Sequence, residues 1–285
     1  MAFPRCRPTC IPRKGRIPSY VLQPLKSGQD LIREIDETLT ATPTLWWLGH
    51  SGFIVRFANI TFYVDSCFSD PPGKPRRCAA PLEGSQVRHA DLILATHAHP
   101  GHLDPATLRP MLEASTRAKL VVPRAVQAHA HAAGIPYDRM TTTDAGLRIE
   151  YFKENLYSRI YAVPSAHPRL DKSPSEGYPY LGYLLRFGRW TIYHAGDCVA
   201  YPDLAAHLRP FNVNVALLPI GAGGFSVSEA AQLAADIGAA WLAPMHYQTF
   251  SDDLAGEFVT HLLGHRPAQR FHVFQCGEKW TVPEE

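Results

Sequence analysis

The stretch ATHAHPGHLD, residues 95–104, sets His97, His99 and His102 close together at the end of an apolar run. Imidazole and carboxylate side chains together suit zinc, iron and manganese. In extended chain, side chains two apart point the same way, so His97 and His99 can share one cation. His102, turned by the Pro100-Gly101 bend, is expected to reach a neighbouring one. Three more metal-competent side chains each follow a predicted strand: His167 after YAVPSA, Asp197 after TIYHAG and His246 after WLAPM. Strand ends converge at one edge of a sheet, so ligands distant in sequence can meet in space. A carboxylate such as Asp197 is the kind of group that holds two cations about 3.5–4 Å apart, and such a pair generates a nucleophilic hydroxide. One histidine alone ordinarily reads as a residue with satisfied hydrogen bonds. Four strand-end positions together read as a metal centre.

The elements that must carry these residues are visible as a change of period. DLIREIDETL (30–39) has helical spacing. From Thr44 the pattern becomes strands: TLWWLGH, GFIVRF and, after a turn at Ala58-Asn59, ITFYVD, which together predict a meander. DLILAT (91–96) is a buried-type strand running into the histidine loop, and Asp104-Pro105 opens a helix as N-cap and first helical residue. KLVVP predicts another strand, followed by an Ala-rich helical stretch from Arg124 to Ala133. The second half repeats the theme with RIYAVPSAH, the hairpin YLGYLLRFG/RWTIYHAGD around Gly188, and VNVALLPIG. A capping box at Ser226–Glu229 then announces a helix that closes near Gly238. AAWLAPMH, a helix from about Asp252 to Leu263 and a C-terminal strand FHVFQCGEKWTV complete the chain. Strands inside and helices between them predict an α/β protein, a four-layer αβ/βα sandwich.

The 285 residues, with 46% hydrophobic and 19% charged content, allow a sizeable core. We expect a basic arm over residues 1–29, where six Lys or Arg stand without an acid, and a single domain over 30–285. A net charge of +2 carries no nucleic-acid signature, so the expected partner is a small-molecule substrate, with homo-oligomerisation left open. No apolar stretch approaches the roughly 20 residues of a membrane span, and no signal-type segment is seen, so a cytoplasmic location is expected. The six cysteines form no paired CxxC motifs and read as free thiols.

Lesser candidates each have two readings. Asp65, at a strand end, either orients a ligand histidine or makes a turn. His50 in LGHSGF either lines the pocket or is a buried structural residue, and His194 reads as structural. Tyr178, Tyr180 and Tyr183 read as sheet packing before a substrate box. GAGGF (221–225), close to a helix N-terminus, has a geometry that can cradle phosphate. Asp104 reads as a helix cap and not a ligand.

THAHPGHLD, the lone His167, AGD at 195–197 and PMH at 244–246, in this order, resemble the five ligand motifs of the metallo-β-lactamase superfamily, whose core pattern is HxHxDH. The likeness runs from about Leu45 to Phe250. Within the superfamily the chain is most similar to the L-ascorbate-6-phosphate lactonase-like branch, through YLGYLL, YHAGDCVAYPDL, VNVALLPIG and EAAQLA. Some stretches also resemble N-acyl phosphatidylethanolamine phospholipase D-type members. The resemblance implies one metal site from His97, His99 and His167, a second from His102 and His246, and Asp197 bridging both. Gly101 stands where the pattern has Asp, normally a ligand of the second ion and a proton acceptor. The second site is therefore expected to be weakened, with one or two ions of Zn2+ or Mn2+ per chain.

The function expected from this is a metal-dependent hydrolase that attacks a lactone or related ester with a metal-bound hydroxide, Asp197 taking the proton. The alternatives are a metal-dependent phosphodiesterase of the phospholipase D-like type and a catalytically weak metal- or ligand-binding protein. Where the lactonase-like pattern has polar residues after its Pro-Ile, this chain has only Gly221-Ala222-Gly223, which speaks against a sugar-phosphate substrate.

Overall fold

The computed structural model describes residues 21–70, 75–247, 249 and 254–284. Helix α1 (Gly28–Glu37) precedes the meander β1 (Thr44–Gly49), β2 (Gly52–Phe57) and β3 (Ile60–Val64). Strand β4 (Leu92–Leu94), helix α2 (Pro105–Ala114), strand β5 (Lys119–Pro123), helix α3 (Gln127–Ala132) and strand β6 (Met140–Thr143) finish the first half. The second half runs β7 (Arg148–Lys153), β8 (Leu156–Pro164), β9 (Leu181–Phe187), β10 (Trp190–His194), α4 (Leu204–Leu208), β11 (Val215–Pro219), α5 (Val227–Ile237), β12 (Trp241–Met245), α6 (Ala255–His265), β13 (Arg270–Phe271) and β14 (Lys279–Thr281).

These strands make two seven-stranded sheets, ordered β14-β1-β2-β3-β4-β5-β6 and β13-β12-β11-β10-β9-β8-β7. Each sheet is antiparallel on one side and parallel on the other, the change falling at β3 in the first and β10 in the second. The alternation along β1 shows the layering. Leu45 and Trp47 join the core shared with Tyr183, Leu185 and Phe187 of the other sheet, while Trp46 and Leu48 pack with Leu31 and Ile35 of α1 and Leu108 and Met111 of α2. The expected four-layer αβ/βα sandwich is what forms. Among the described residues no helix is long and apolar enough to cross a membrane.

Several expectations need correction. The C-terminal strand is two short strands in different sheets: β13 pairs with β12 and β14 with β1. Between them a turn closes with Glu278 N–H on Gln275 C=O at 3.0 Å, and Gly277 takes a φ of +76°, which ends an extended run. The edge strands β6 and β7 were not expected; β7 exposes every second residue and carries charges, so it lacks an apolar signal. Helix α1 starts two residues early, inside the segment assigned to the arm. Residues 1–20 of that arm, with Cys6 and Cys10, lie outside the described residues, as do positions 252 and 253 of the last helix. Residues 22–25 are pinned: Leu22 N–H donates to Arg77 C=O and Leu25 N–H to Cys276 C=O. Cys67, Cys78, Cys198 and Cys276 are free and buried.

Candidate metal centre

The histidine loop leaves β4 and enters α2, and both sheets grip its base. Ala95 N–H donates to Val121 C=O at 2.9 Å, and the Ala95 carbonyl accepts the Tyr183 hydroxyl at 2.9 Å. The Thr96 carbonyl accepts Leu181 N–H at 3.1 Å. His99 C=O then accepts from His102 N–H and Leu103 N–H, each at 2.9 Å, which closes a turn with Pro100 and Gly101 at its centre. Asp104 caps α2, taking Ala106 N–H at 3.1 Å and Ser69 N–H at 3.2 Å. A cap of this kind contributes about 1 kcal/mol. Burial of Leu108 and Met111 under α2 adds about 1.5–3 kcal/mol each, so the far end of the loop is as firmly held as the near end.

From the second sheet come His167 after β8, Asp197 after β10 and His246 after β12. Asp197 is central. Its Oδ2 lies 3.8 Å from His97 Nε2, and its Oδ1 lies 3.2 Å from His102 Nε2 and 3.5 Å from His246 Nε2. The metal-competent atoms fall into two groups, His97–His99–Asp197 and His50–His102–His246, and within each they lie within 4.8 Å of one another. His167 stands further out, its ring centre 5.8 Å from that of His97 and 5.2 Å from that of His99. All six residues expected from the sequence meet at one edge of the sandwich, and His50 joins them.

The rings are oriented from behind. Asp65, with no exposed surface, accepts Thr96 N–H on Oδ1 at 2.8 Å and the Thr96 hydroxyl on Oδ2 at 2.8 Å. Its Oδ2 also accepts His102 Nδ1–H at 2.7 Å. The Thr96 proton is thereby committed to Asp65, so Thr96 Oγ1 acts as acceptor for His97 Nδ1–H at 3.0 Å. Both contacts put a ring proton on Nδ1, so a cation would be met at Nε2, which faces Asp197. Of the two readings of Asp65, the geometry shows the orienting one. His50, Asp65 and His246 all have positive φ, at 54°, 47° and 71°. Non-glycine residues held there cluster where surrounding structure overdetermines them, as at ligand sites.

Electrostatics follow from burial. His97 is held well below its ordinary pKa by desolvation and then by the neighbouring His102, so it is neutral. His50 is likewise depressed by burial, then by His246 and His102. For His102 burial also acts downward, but Asp197 and Asp65 on either side overcome it and raise it to about 10. Burial acts upward on the Asp197 carboxyl, yet His102, His246 and His97 together hold it well below the usual carboxylate range.

Does this set fit a cation? His97 Nε2 and His167 Nδ1 are buried with no hydrogen-bond partner among the described residues, and the buried Asp197 Oδ1 and His102 Nε2 have their 3.2 Å ion pair with each other. Orphaned buried polar atoms cost about 1–3 kcal/mol each. Imidazole nitrogens of His97, His102 and His246 gathered round the Asp197 carboxylate fit a transition-metal ion, which would satisfy them together. Burial grades outward: His97 and His102 are 1% exposed, His167 and His246 are half-buried and His99 faces solvent. Substrate thus has an approach from the His99 side. A cavity of 690 Å³ exists elsewhere, lined by Leu25, Asp30, Glu34 and Lys279, but it contains none of these groups.

The lesser candidates separate. Tyr183 is buried with its hydroxyl on Ala95 C=O, which is packing. Tyr180 is not packing: its ring centre lies 5.1 Å from His97, 5.8 Å from His99 and 5.4 Å from His167. Partial burial, then Asp171 and Asp197, raise its phenol, which stays neutral. Its position at a strand start beside the histidine loop was the available signal. His194 uses both ring nitrogens, Nε2–H donating to Ser51 C=O at 2.7 Å and Nδ1 accepting Gly196 N–H at 3.2 Å, so it is structural. In GAGGF, weighed as a phosphate cradle, the N–H groups of Gly221, Gly224 and Phe225 donate to backbone carbonyls, and beside it the Glu229 carboxylate accepts Ser226 N–H at 2.8 Å and Ser226 Oγ–H at 2.7 Å. That negative charge at the N-terminus of α5 opposes a phosphate.

Comparison with known proteins agrees with this architecture. A family model described as a beta-lactamase superfamily domain matches residues 61–247. A UPF0173 metal-dependent hydrolase from Myxococcus xanthus is 31% identical over 229 residues, 76% of this chain and 76% of its own. Another from Caldivirga maquilingensis is 29% identical over 246 residues, 84% of this chain and 98% of its own. Among solved structures, Igni18, a metallo hydrolase from Ignicoccus hospitalis, superposes with a TM-score of 0.67 at 21% identity, covering 86% of this chain and all of its own.

Proposed function

Because the chain belongs to the beta-lactamase superfamily and is a metal-dependent hydrolase of metallo-β-lactamase fold, we propose that its substrate is a lactone or a related carboxylic ester. His97, His99 and His167 would hold one cation, Zn2+ or Mn2+, and His102 and His246 part of a second, with Asp197 between them. A bound cation of this kind polarises a carbonyl and lowers the pKa of a water to about 7.

The chain's own groups do the rest. Asp197, kept ionised by three histidines, can hold the proton released by the attacking water on a carboxylate oxygen and pass it to the leaving alkoxide. Thr96 and Asp65 hold the His97 and His102 rings by Nδ1, with Nε2 turned toward Asp197. Tyr180 places a neutral phenol at the rim, a donor suited to the single negative charge of a tetrahedral oxyanion.

The observation that carries the ester reading over a phosphodiester is the Glu229 carboxylate at the start of α5. It occupies the Ser226 backbone donor at the helix start and adds like charge beside the Gly-rich loop. The test is a panel of lactones and aryl esters against bis-p-nitrophenyl phosphate with Zn2+- or Mn2+-loaded protein. Turnover of lactones at least tenfold faster than of the phosphodiester is expected. The reverse order would refute the substrate class, and a purified chain that binds no transition metal after repletion would refute the centre.

A further inference from the structure

We propose that His50 replaces the carboxylate missing at position 101, so that His50, His102 and His246 form an all-imidazole pocket for the second cation, with Asp197 shared. The inference rests on the metal-centre reading above and deepens it by naming a ligand that the motif pattern does not contain.

Two observations carry it independently. First, one nitrogen from each of His50, His102 and His246 lies within 4.8 Å of the other two, near enough to converge on one ion. The His50 ring centre is 4.2 Å from that of His246 and 5.0 Å from that of His102. Second, the His50 ring lies where a side chain at 101 would go. A Cβ on Gly101 would fall 3.0 Å from His50 Cε1 and 3.4 Å from Nδ1. Gly101 is not in the left-handed region, so its backbone does not require glycine; the nearest atoms to that missing Cβ are the His50 ring.

The placement of His50 is built. Its N–H donates to Thr249 Oγ1 at 2.8 Å, and its carbonyl accepts Trp47 Nε1–H at 3.0 Å and His246 N–H at 2.9 Å. The last bond ties one ligand's backbone to another's. Those contacts fix a residue whose φ of 54° would otherwise be disfavoured. The exchange also changes the chemistry of the pocket. A carboxylate-rich site suits Mn2+ and Mg2+, whereas imidazoles favour Zn2+, Co2+ and later ions. With Asp197 the only carboxylate facing it within the ligand set, the second site is expected to select Zn2+ or Co2+ over Mn2+.

The experiment is a titration of the full, metal-depleted chain with Co2+, following ligand-field absorption, alongside Zn2+ and Mn2+ stoichiometry by elemental analysis. Wild type should take two Co2+ or Zn2+ and bind Mn2+ more weakly than either at each three-imidazole set. His50→Ala should keep the first ion and bind the second more than about 100-fold more weakly. The double variant His50→Ala/Gly101→Asp, with the ring removed and the carboxylate restored, should regain the second ion and accept Mn2+ there. His50→Asn, which tolerates left-handed backbone, serves the same comparison if His50→Ala does not fold. Two ions bound by His50→Ala with undiminished affinity would overturn the assignment while leaving the metal centre intact, and a wild type that takes a single Co2+ would overturn it equally. A wild type that takes none would instead remove the reading on which it rests.

Discussion

Replacing Thr96 by Val should weaken metal binding without touching any ligand. The side chains are nearly the same size, and residue 96 is fully buried, so the change removes one hydroxyl and little volume. That hydroxyl donates to Asp65 Oδ2 at 2.8 Å and accepts His97 Nδ1–H at 3.0 Å. Without it, His97 has two poor choices. It can keep Nδ1–H with no acceptor, which costs about 1–3 kcal/mol for a buried donor. Or it can move the proton to Nε2, toward Asp197 Oδ2 3.8 Å away, and then no lone pair faces the cation. The first cost falls on metal-free and loaded chain alike; in the second, binding must return the proton to Nδ1 and meets that cost. At about 1.4 kcal/mol per decade the loss is roughly 5- to 100-fold in affinity at the site containing His97. Burial keeps His97 neutral, so proton competition does not blur the comparison. The assay is a chelator-competition titration with Zn2+ near pH 8 on Thr96→Val and on Thr96→Ser, which retains the hydroxyl. Thr96→Ser should stay within about threefold of wild type, on the same hydrogen-bond reasoning. Equal affinity in all three, with Thr96→Val less stable when metal-free, would show that the bond is lost and that ring orientation does not matter, and the argument would fail.

Two other outcomes follow from the same geometry. His102 is raised to about 10 in the metal-free chain, so loading its site near pH 8 must expel a proton from it. Calorimetry in buffers of differing ionisation enthalpy should find about one proton released per chain, with affinity rising as pH rises toward 10; no buffer dependence would refute it. The same raised value means that charged His102 stabilises the metal-free fold fully below about pH 6.5, and that this contribution is lost as pH climbs through about 10, measurable by urea denaturation. Gly223→Ala should impair the site. Its φ is +83°, and the added Cβ would meet His167 Cε1 at 3.1 Å, whereas Gly188, at φ +57° with nothing within 4 Å, bears strain alone. Activity should therefore fall at least tenfold more in Gly223→Ala than in Gly188→Ala, in proportion to the misplacement of a candidate ligand. Equal activity in the two would separate the glycine-rich loop from the centre.

Much of the sandwich was readable because its strands are local, continuous signals. TLWWLG and VALLP announce buried strands by themselves, and Asp104-Pro105 and Ser226–Glu229 announce helix starts whose bonds are present in the fold. What depended on distant partners was not readable. Nothing in FHVFQCGEKWTV says that its two ends belong to different sheets, since β12 and β1, which claim them, are far away in the chain. Strand β7 satisfies its backbone as an edge to β8 and needs no apolar run.

The candidate centre divides along the same line. His97, His99 and His102 declare themselves by local spacing, and His167, Asp197 and His246 by their places after strands, so residue type and element were enough to gather them. His50 also follows a strand and on sequence alone lines the pocket or packs beneath it; its meaning as a ligand depends on the volume beside Gly101, which no local pattern shows. Viewed along the chain, a glycine in a ligand motif is a deletion; viewed in space, the volume it vacates is filled by an imidazole from the loop after β1. A motif records which ligands arrive on one strand. A cation responds to the whole shell, whichever strands supply it. Loss of a carboxylate at 101 therefore implies a weaker site only if position 50 is ignored. With the ring in place, the physical expectation shifts from weaker binding in general to a different ranking of metals, and that ranking is the property by which the two accounts of Gly101 can be told apart.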